Sequence, residues 1–255
     1  MVRGFYTLAS GMLTEQRILD TVSNNVANVK TPGYKRQVLT SSSFNEQLLA
    51  RIQKNQNKLM GAAGSIVRYA DKLNIDYSQS GIEDTGLPFD IAIVGDGFFR
   101  LEAEDMERPL LTRNGNFTVD DEGYLILPAG GRVLGEGGPI QVGGGDFVVD
   151  EEGYVYVGSD ESPVDRLSVA YPIDTANLTI YGEGVFIDNN PDDYGGDEAV
   201  HTTSFMQGKL ESSNVDMGEE TASLMEASRT FQTYSQALKI FDRVNTKAVT
   251  EIGKV

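Results

Sequence analysis

The side chains best equipped for chemistry in this chain are carboxylates. Asp120, Asp121 and Glu122 form one cluster, and Asp150, Glu151 and Glu152 form a second. Grouped carboxylates can act as general acid and base in hydrolysis. Both clusters, however, sit between strand-like runs, where Asp and Glu are favoured because they hydrogen-bond nearby backbone and remain hydrated. The solvated-turn reading is preferred over the hydrolase one. His201 is the one histidine, flanked by Val200 and Thr202, so a nucleophile triad would rest on it alone. A structural or exposed role suits it better.

Asp188-Asn-Asn-Pro-Asp-Asp-Tyr-Gly-Gly-Asp197 offers oxygen ligands at alternating spacing, as hard cations require. Asp193 stands where an EF-hand needs Gly, and Ala199 where it needs Glu. The stretch reads as an acidic surface loop, and cation binding stays an open alternative. Gly95-Asp96-Gly97 lacks the third glycine of a dinucleotide fingerprint, since Arg100 holds that place. It reads as a tight turn. The sequence thus assigns no catalytic, cofactor or metal residues.

Charge and composition exclude further classes. The net charge is −17, yet residues 1–40 hold five basic and two acidic groups and residues 216–255 hold five and six. The middle, residues 41–215, therefore carries 11 basic against 30 acidic groups. A surface this negative repels phosphate backbones, which argues against nucleic-acid binding. With no Cys, there is no disulfide framework or thiol nucleophile, and the redox compartment stays open. No run approaches the roughly 18 apolar residues of a membrane span. Polar breaks from Arg3 to Gln16 also argue against a cleavable signal.

The elements that carry these groups differ along the chain. Phe5, Leu8, Met12, Leu19, Val22 and Val26 recur at steps of three and four, with Glu15 out of register. Leu224, Ala227, Phe231, Tyr234, Leu238, Phe241, Ala248 and Ile252 repeat the pattern at the other end. Such heptad seams keep one stripe of a helix facing a partner helix. The first helix is expected over Val2–Asn28, stopped by Thr31-Pro32-Gly33. The second starts after Asp216, with Glu219 completing a capping-box pattern, and continues almost to Val255. Spacing alone leaves open whether the stripes close a hairpin within one chain or a bundle shared between subunits. Their position at the two ends of a self-sufficient middle favours the shared bundle.

Between Pro88 and Ile187, short Val-, Ile-, Tyr- and Phe-rich runs broken by Gly and Asp predict β-structure. Phe117-Thr-Val-Asp-Asp-Glu-Gly-Tyr-Leu125 is echoed by Phe147-Val-Val-Asp-Glu-Glu-Gly-Tyr-Val155, which predicts two similar hairpins in one sheet or barrel. The fold class is α+β: long terminal α-helices forming a coiled-coil-like bundle, plus a mainly β central domain of hairpins. Residues 1–35 with 212–255 are expected to form the helical assembly domain, 36–80 an extended connector with room for a short helix over Phe44–Ile52, and 81–211 the β domain. Leu8, Met12, Leu19, Val22, Val26, Leu224, Phe231, Tyr234, Leu238 and Phe241 are the expected assembly interface.

Several motifs point to one family. Leu8-Ala-Ser-Gly-Met-Leu13 and Ser23-Asn-Asn-Val-Ala-Asn-Val-Lys-Thr-Pro-Gly-Tyr-Lys35 resemble the N-terminal signature of the bacterial flagellar rod and hook family. Glu211-Ser-Ser-Asn-Val-Asp216 and Glu226-Ala-Ser-Arg-Thr-Phe-Gln232 resemble its C-terminal signature. Leu87-Pro-Phe-Asp-Ile-Ala-Ile-Val-Gly-Asp-Gly-Phe-Phe99 and Thr112-Arg-Asn-Gly-Asn-Phe117 are similar to its β-domain. Asn24, Asn25, Asn28, Pro32, Gly33, Gly95, Asp96, Gly97, Ser213, Asn214 and Val215 carry the match. Hook subunits have an extra outer domain for which this chain has no room, so the resemblance implies a rod subunit, of the distal or the proximal type. It further implies a structural, non-enzymatic role and no cofactor. The expected partners are further copies in a hollow helical shaft that transmits torque, other rod and hook proteins, and the flagellar type III export apparatus. The expected location is the basal body outside the cytoplasm. The alternative from another class is an extracellular adhesin or carbohydrate-active protein built on the β-region.

Overall fold

The computed structural model describes residues 2–44, 67–103, 106, 108–128, 130–144, 146–158, 162–182, 184–189 and 203–252. The chain divides into two units, one comprising Met1–Val26, Gln37–Ile75 and Asp216–Val255, the other Ala27–Arg36 and Asp76–Val215.

The first unit contains two long helices, α1 (Val2–Ala27) and α2 (Met217–Ile252). α1 ends one residue before the expected boundary, and turns at Asn28–Thr31 and Thr31–Tyr34 follow, consistent with Pro32 disfavouring helix at Thr31. α2 opens as its sequence requires: the Asp216 carboxylate accepts from the Gly218 and Glu219 amides at 2.7 and 3.1 Å. These are two of the amides that a helix start leaves without an intrahelical partner.

The same unit holds an antiparallel ladder, β1 (Gln37–Phe44) with β2 (Val67–Ile75), its register shifting at Thr40/Ser41. The expected extended connector over 36–80 therefore contains a paired hairpin, and most of it groups with the terminal helices. Phe44 closes β1 instead of opening a helix; the rest of that expected helix lies outside the described residues. Residues 27–35, expected with the helices, group with the β unit.

The second unit is antiparallel β-structure. An eight-stranded sheet runs in the order Leu178–Gly182, Val185–Asp188, Leu110–Thr112, Phe98–Glu102, Gly131–Val133, Leu125–Leu127 and Thr118–Val119, with Val169–Ala170 on Phe98–Glu102. Phe147–Val149, Tyr154–Val157 and Asp165–Arg166 form a three-stranded sheet. Ser204–Gln207 pairs with Ile91–Val94, and Lys209–Glu211 with Ile82–Asp84. Phe99, Leu101, Leu110, Phe117, Leu125, Val133 and Val155 lie in one buried core, each large side chain contributing about 1.5–3 kcal/mol of burial.

The echoed segments are matching hairpins that lie in different sheets, where one sheet or barrel was expected. Asp120 Oδ1 accepts from the Glu122 and Tyr124 amides at 3.0 and 2.7 Å, and Asp150 Oδ1 from those of Glu152 and Tyr154 at 3.0 and 2.8 Å. Gly123 (φ 85) and Gly153 (φ 89) take the left-handed conformation that follows each aspartate. Both acidic clusters are thus turn-forming. Asp188 departs from its expected loop: it ends a strand and is fully buried.

Candidate assembly interface

In the first unit the two terminal helices pair antiparallel. A Cβ built on Gly11 would stand 2.9 Å from Cζ of Tyr234, and one on Gly4 3.5 Å from the Phe241 ring. Further along, the Asn25 amide donates to Glu220 Oε2 at 3.2 Å. In all three pairs the residue numbers add to 245, which fixes the register. The row on α1 is Gly4, Gly11, Asn25 and that on α2 Phe241, Tyr234, Glu220. Each advances by seven residues or a multiple of seven, as a heptad seam requires. Aromatic rings on α2 fill the space that glycines leave on α1.

Of the expected interface residues, Tyr234 and Phe241 lie in this row and are half-buried, Val22 is buried, and Leu8, Met12, Leu19, Val26, Leu224, Phe231 and Leu238 are half-buried. Phe5 turns outward, and Glu15, expected out of register, is buried. Gly4, Gly11 and Asn25 also make direct contacts across the seam. A search for apolar repeats passes over such residues; the seven-residue spacing of Gly4 and Gly11 is the signal that identifies them. Asn25 also pairs with the Gln37 backbone in both directions, donating to the carbonyl at 2.8 Å and accepting from the amide at 3.0 Å.

In the second unit, three of the signature segments converge on one carboxylate. Glu211 Oε1 accepts from Lys35 Nζ at 2.7 Å and from the Ser80 amide at 2.9 Å, and Oε2 accepts from Arg113 Nη1 at 3.4 Å. Lys35 also donates to the Ser78 carbonyl at 2.8 Å, and Arg113 to that of Gly95 at 2.8 Å. Burial pushes the Lys35 ammonium below its ordinary pKa, against the pull of Glu211, and acts on Arg113 in the same direction. Paired and hydrogen-bonded as it is, the triad meets the condition for keeping charges inside a protein.

Around the triad the segments that lead out of the β unit are tied together. Gly33 donates its amide to the Glu211 carbonyl at 2.7 Å. A Cβ there would lie 2.3 Å from the Arg113 carbonyl carbon, so only glycine fits. Asn214 accepts from the Arg36 amide at 2.7 Å and donates to the Asp76 carbonyl at 2.9 Å. Arg36 in turn accepts from the Asp76 amide at 2.9 Å. Residues 27–36, 76–81 and 211–215 thus form a collar.

The other motif residues have local duties. Asn28 Oδ1 accepts from the Thr31 hydroxyl at 3.1 Å beside half-buried Pro32, and Asn24 is exposed. Gly95 and Gly97 turn with φ 102 and 103, and a Cβ on Gly97 would strike Val169. The Asp96 carbonyl accepts from Thr203 at 2.8 Å. Ser213 Oγ accepts from the amide of buried Val215 at 3.3 Å. Lys35, Arg113 and Glu211 are the residues the sequence reading leaves unassigned, although each lies within a quoted motif.

Among the described residues, no group of three or more His, Asp or Glu could hold a metal ion, and no helix is long and apolar enough to cross a membrane. His201 and the acidic loop beyond Asn189 lie outside the described residues.

Comparison with known proteins matches the same segments. A family model described as Flagella basal body rod protein matches residues 5–35. The Flagellar hook protein FlgE/F/G D1 domain matches residues 92–187, and the Flagellar basal body rod FlgEFG protein C-terminal matches residues 206–250. The chain is 29% identical over 263 residues to the flagellar basal-body rod protein FlgF of Caulobacter vibrioides, covering 100% of both chains. It is 30% identical over 273 residues to the flagellar basal-body rod protein FlgG of Bacillus subtilis, covering 96% of this chain and 97% of that one. To the flagellar hook protein FlgE of Treponema pallidum it is 35% identical over 142 residues, covering 53% of this chain and 30% of the hook protein.

Proposed function

Because the chain belongs to the family of flagellar basal-body rod proteins, as a structural subunit of the rod and not an adhesin, we propose that its terminal helices polymerise it into a hollow helical shaft that transmits torque. The observation that carries this reading is the seam itself. Gly4 against Phe241 and Gly11 against Tyr234 set a heptad register between the two ends of the chain, while most of the apolar side chains flanking it remain only half-buried. A seam left half-open within one molecule gains from a further helix, and heterologous contacts that do not close build a helical tube.

The likeness to FlgF and FlgG extends over nearly the whole of each protein, whereas the hook relative is matched over 30% of its length. That supports a rod position over a hook position. The protein is located in the flagellar basal body. Extracytoplasmic placement, contact with neighbouring rod and hook subunits, and export by the flagellar type III apparatus complete the proposal. Before assembly the half-open α1–α2 pair should be only marginally stable, since most helical stability comes from packing of the apolar face.

Phe241→Asp tests the reading. A charge on the seam should abolish swimming and incorporation into basal bodies while the β unit keeps its unfolding transition. Normal swimming by this variant would count against polymerisation through the helices.

A further inference from the structure

Among the described residues, the register between the helices leaves the end of α2 beyond the reach of α1. With paired numbers adding to 245, the start of α1 at Val2 meets residue 243, whereas α2 continues to Ile252. Among the described residues, nothing in α1 is in register with 244–252. The seam nevertheless continues there: Ala248 follows Phe241 by seven residues, with Val249 beside it 72% exposed and Val244 57% exposed. α1 has a complementary surplus. Tyr6 and Leu13 each lie two residues, about 200° around the helix, past a seam glycine, and both are 63% exposed. Phe5 stacks edge-on against Tyr6 with ring centroids 6.2 Å apart. The first half of α1 is thus apolar on both sides, the pattern of a helix buried all round.

We infer that the α2 overhang, through Val244, Ala248 and Val249, packs on the Tyr6–Leu13 face of α1 in a second copy of this chain. The overhang prolongs an existing helix–helix seam, so the surface that completes it is another apolar helical face of about one heptad, which Tyr6–Leu13 supplies. Charge selects the same occupant. Residues 41–215 carry 11 basic and 30 acidic groups and repel their counterparts in another copy. α1, in which Arg3 and Arg17 balance Glu15 and Asp20, can instead approach the overhang of α2, in which Lys247 balances Glu251, without that repulsion. The two surfaces differ, so the contact is heterologous and leaves a free surface at each end of a growing chain of subunits. This inference rests on the rod reading and names the helical contact within it.

The absence of cysteine makes the test direct. Val249→Cys and Tyr6→Cys are placed in separate full-length copies and co-expressed in a motile host lacking its own copy. Isolated basal bodies are oxidised with copper phenanthroline and resolved without reductant. The expected result is a covalent dimer joining the two variants, several-fold above that from either variant alone. Leu13→Cys with Val244→Cys is a second pair in the same antiparallel register, used if the first disturbs assembly. Basal bodies that contain both variants of either pair but yield no mixed dimer overturn the inference and leave the rod reading standing. Equal dimer yields from single variants overturn it too, since they indicate a symmetric contact. Loss of the wild-type protein itself from basal bodies would overturn both.

Discussion

Glu211 Oε1 lies 2.7 Å from Lys35 Nζ across 176 residues of sequence, and both side chains are 1% exposed. Arg113 approaches the other carboxylate oxygen at 3.4 Å, so one buried anion serves two buried cations. Glu211→Gln removes the anion to which both cations are bonded. Breaking a buried pair from one side costs about 3–5 kcal/mol. Urea unfolding of the full-length variant should show a loss of that order in the β-unit transition. A loss under about 1 kcal/mol, the worth of a surface pair, would contradict the triad's structural role.

The same cluster predicts a pH dependence. Burial holds the Lys35 pKa below its ordinary 10.5, with Glu211 opposing. Between the folded-state value and 10.5 the unfolded chain binds more protons than the folded one, so stability from this group rises with pH through that window. Relative to Lys35→Met, the wild type should gain stability as pH is raised toward 10.5. A difference that stays flat or falls would show that the lysine keeps its proton at least as firmly in the fold.

Gly33 and Gly158 share a φ of 66° but not their surroundings. A Cβ on Gly158 meets nothing within 4 Å, whereas on Gly33 it lies 2.3 and 2.4 Å from the Arg113 carbonyl carbon and oxygen. Gly158→Ala should therefore cost only the left-handed penalty, about 1–2 kcal/mol. Gly33→Ala must also push apart two backbone segments of the collar and should cost about 4 kcal/mol or more. Similar melting shifts for the two variants would mean that the collar relaxes freely.

How far the sequence discloses this arrangement depends on the range of each interaction. The Asp120 and Asp150 turns were legible because the carboxylate and the amides it accepts lie within four residues. The Asp216 cap was legible for the same reason. On α1 contacts run through Gly4, Gly11 and Asn25, which an apolar pattern treats as gaps, so their part in the seam was not expected. Lys35, Arg113 and Glu211 each stood inside a recognisable motif, but no local rule links residues 98 or 176 positions apart. The β1–β2 ladder was missed because Gln37-Val-Leu-Thr-Ser-Ser-Ser-Phe44 has too little alternation to announce a strand.

That long-range dependence sets where a minimal β unit can be cut. A fragment of residues 81–211 keeps Arg113 and Glu211 but loses Lys35, the Ser80 amide and the Asn214 bridge between Arg36 and Asp76. A fragment of residues 27–215 retains all of them. Both should give β-type circular dichroism, because the sheet core from Ile91 to Phe205 is common to the two. The shorter should nevertheless unfold at lower urea. Its deficit should be about 3 kcal/mol or more, since Glu211 keeps one cation of two and the collar hydrogen bonds are gone. Coincident unfolding curves would show that the collar contributes nothing to the β unit, and its convergent motifs would then need an explanation other than stability.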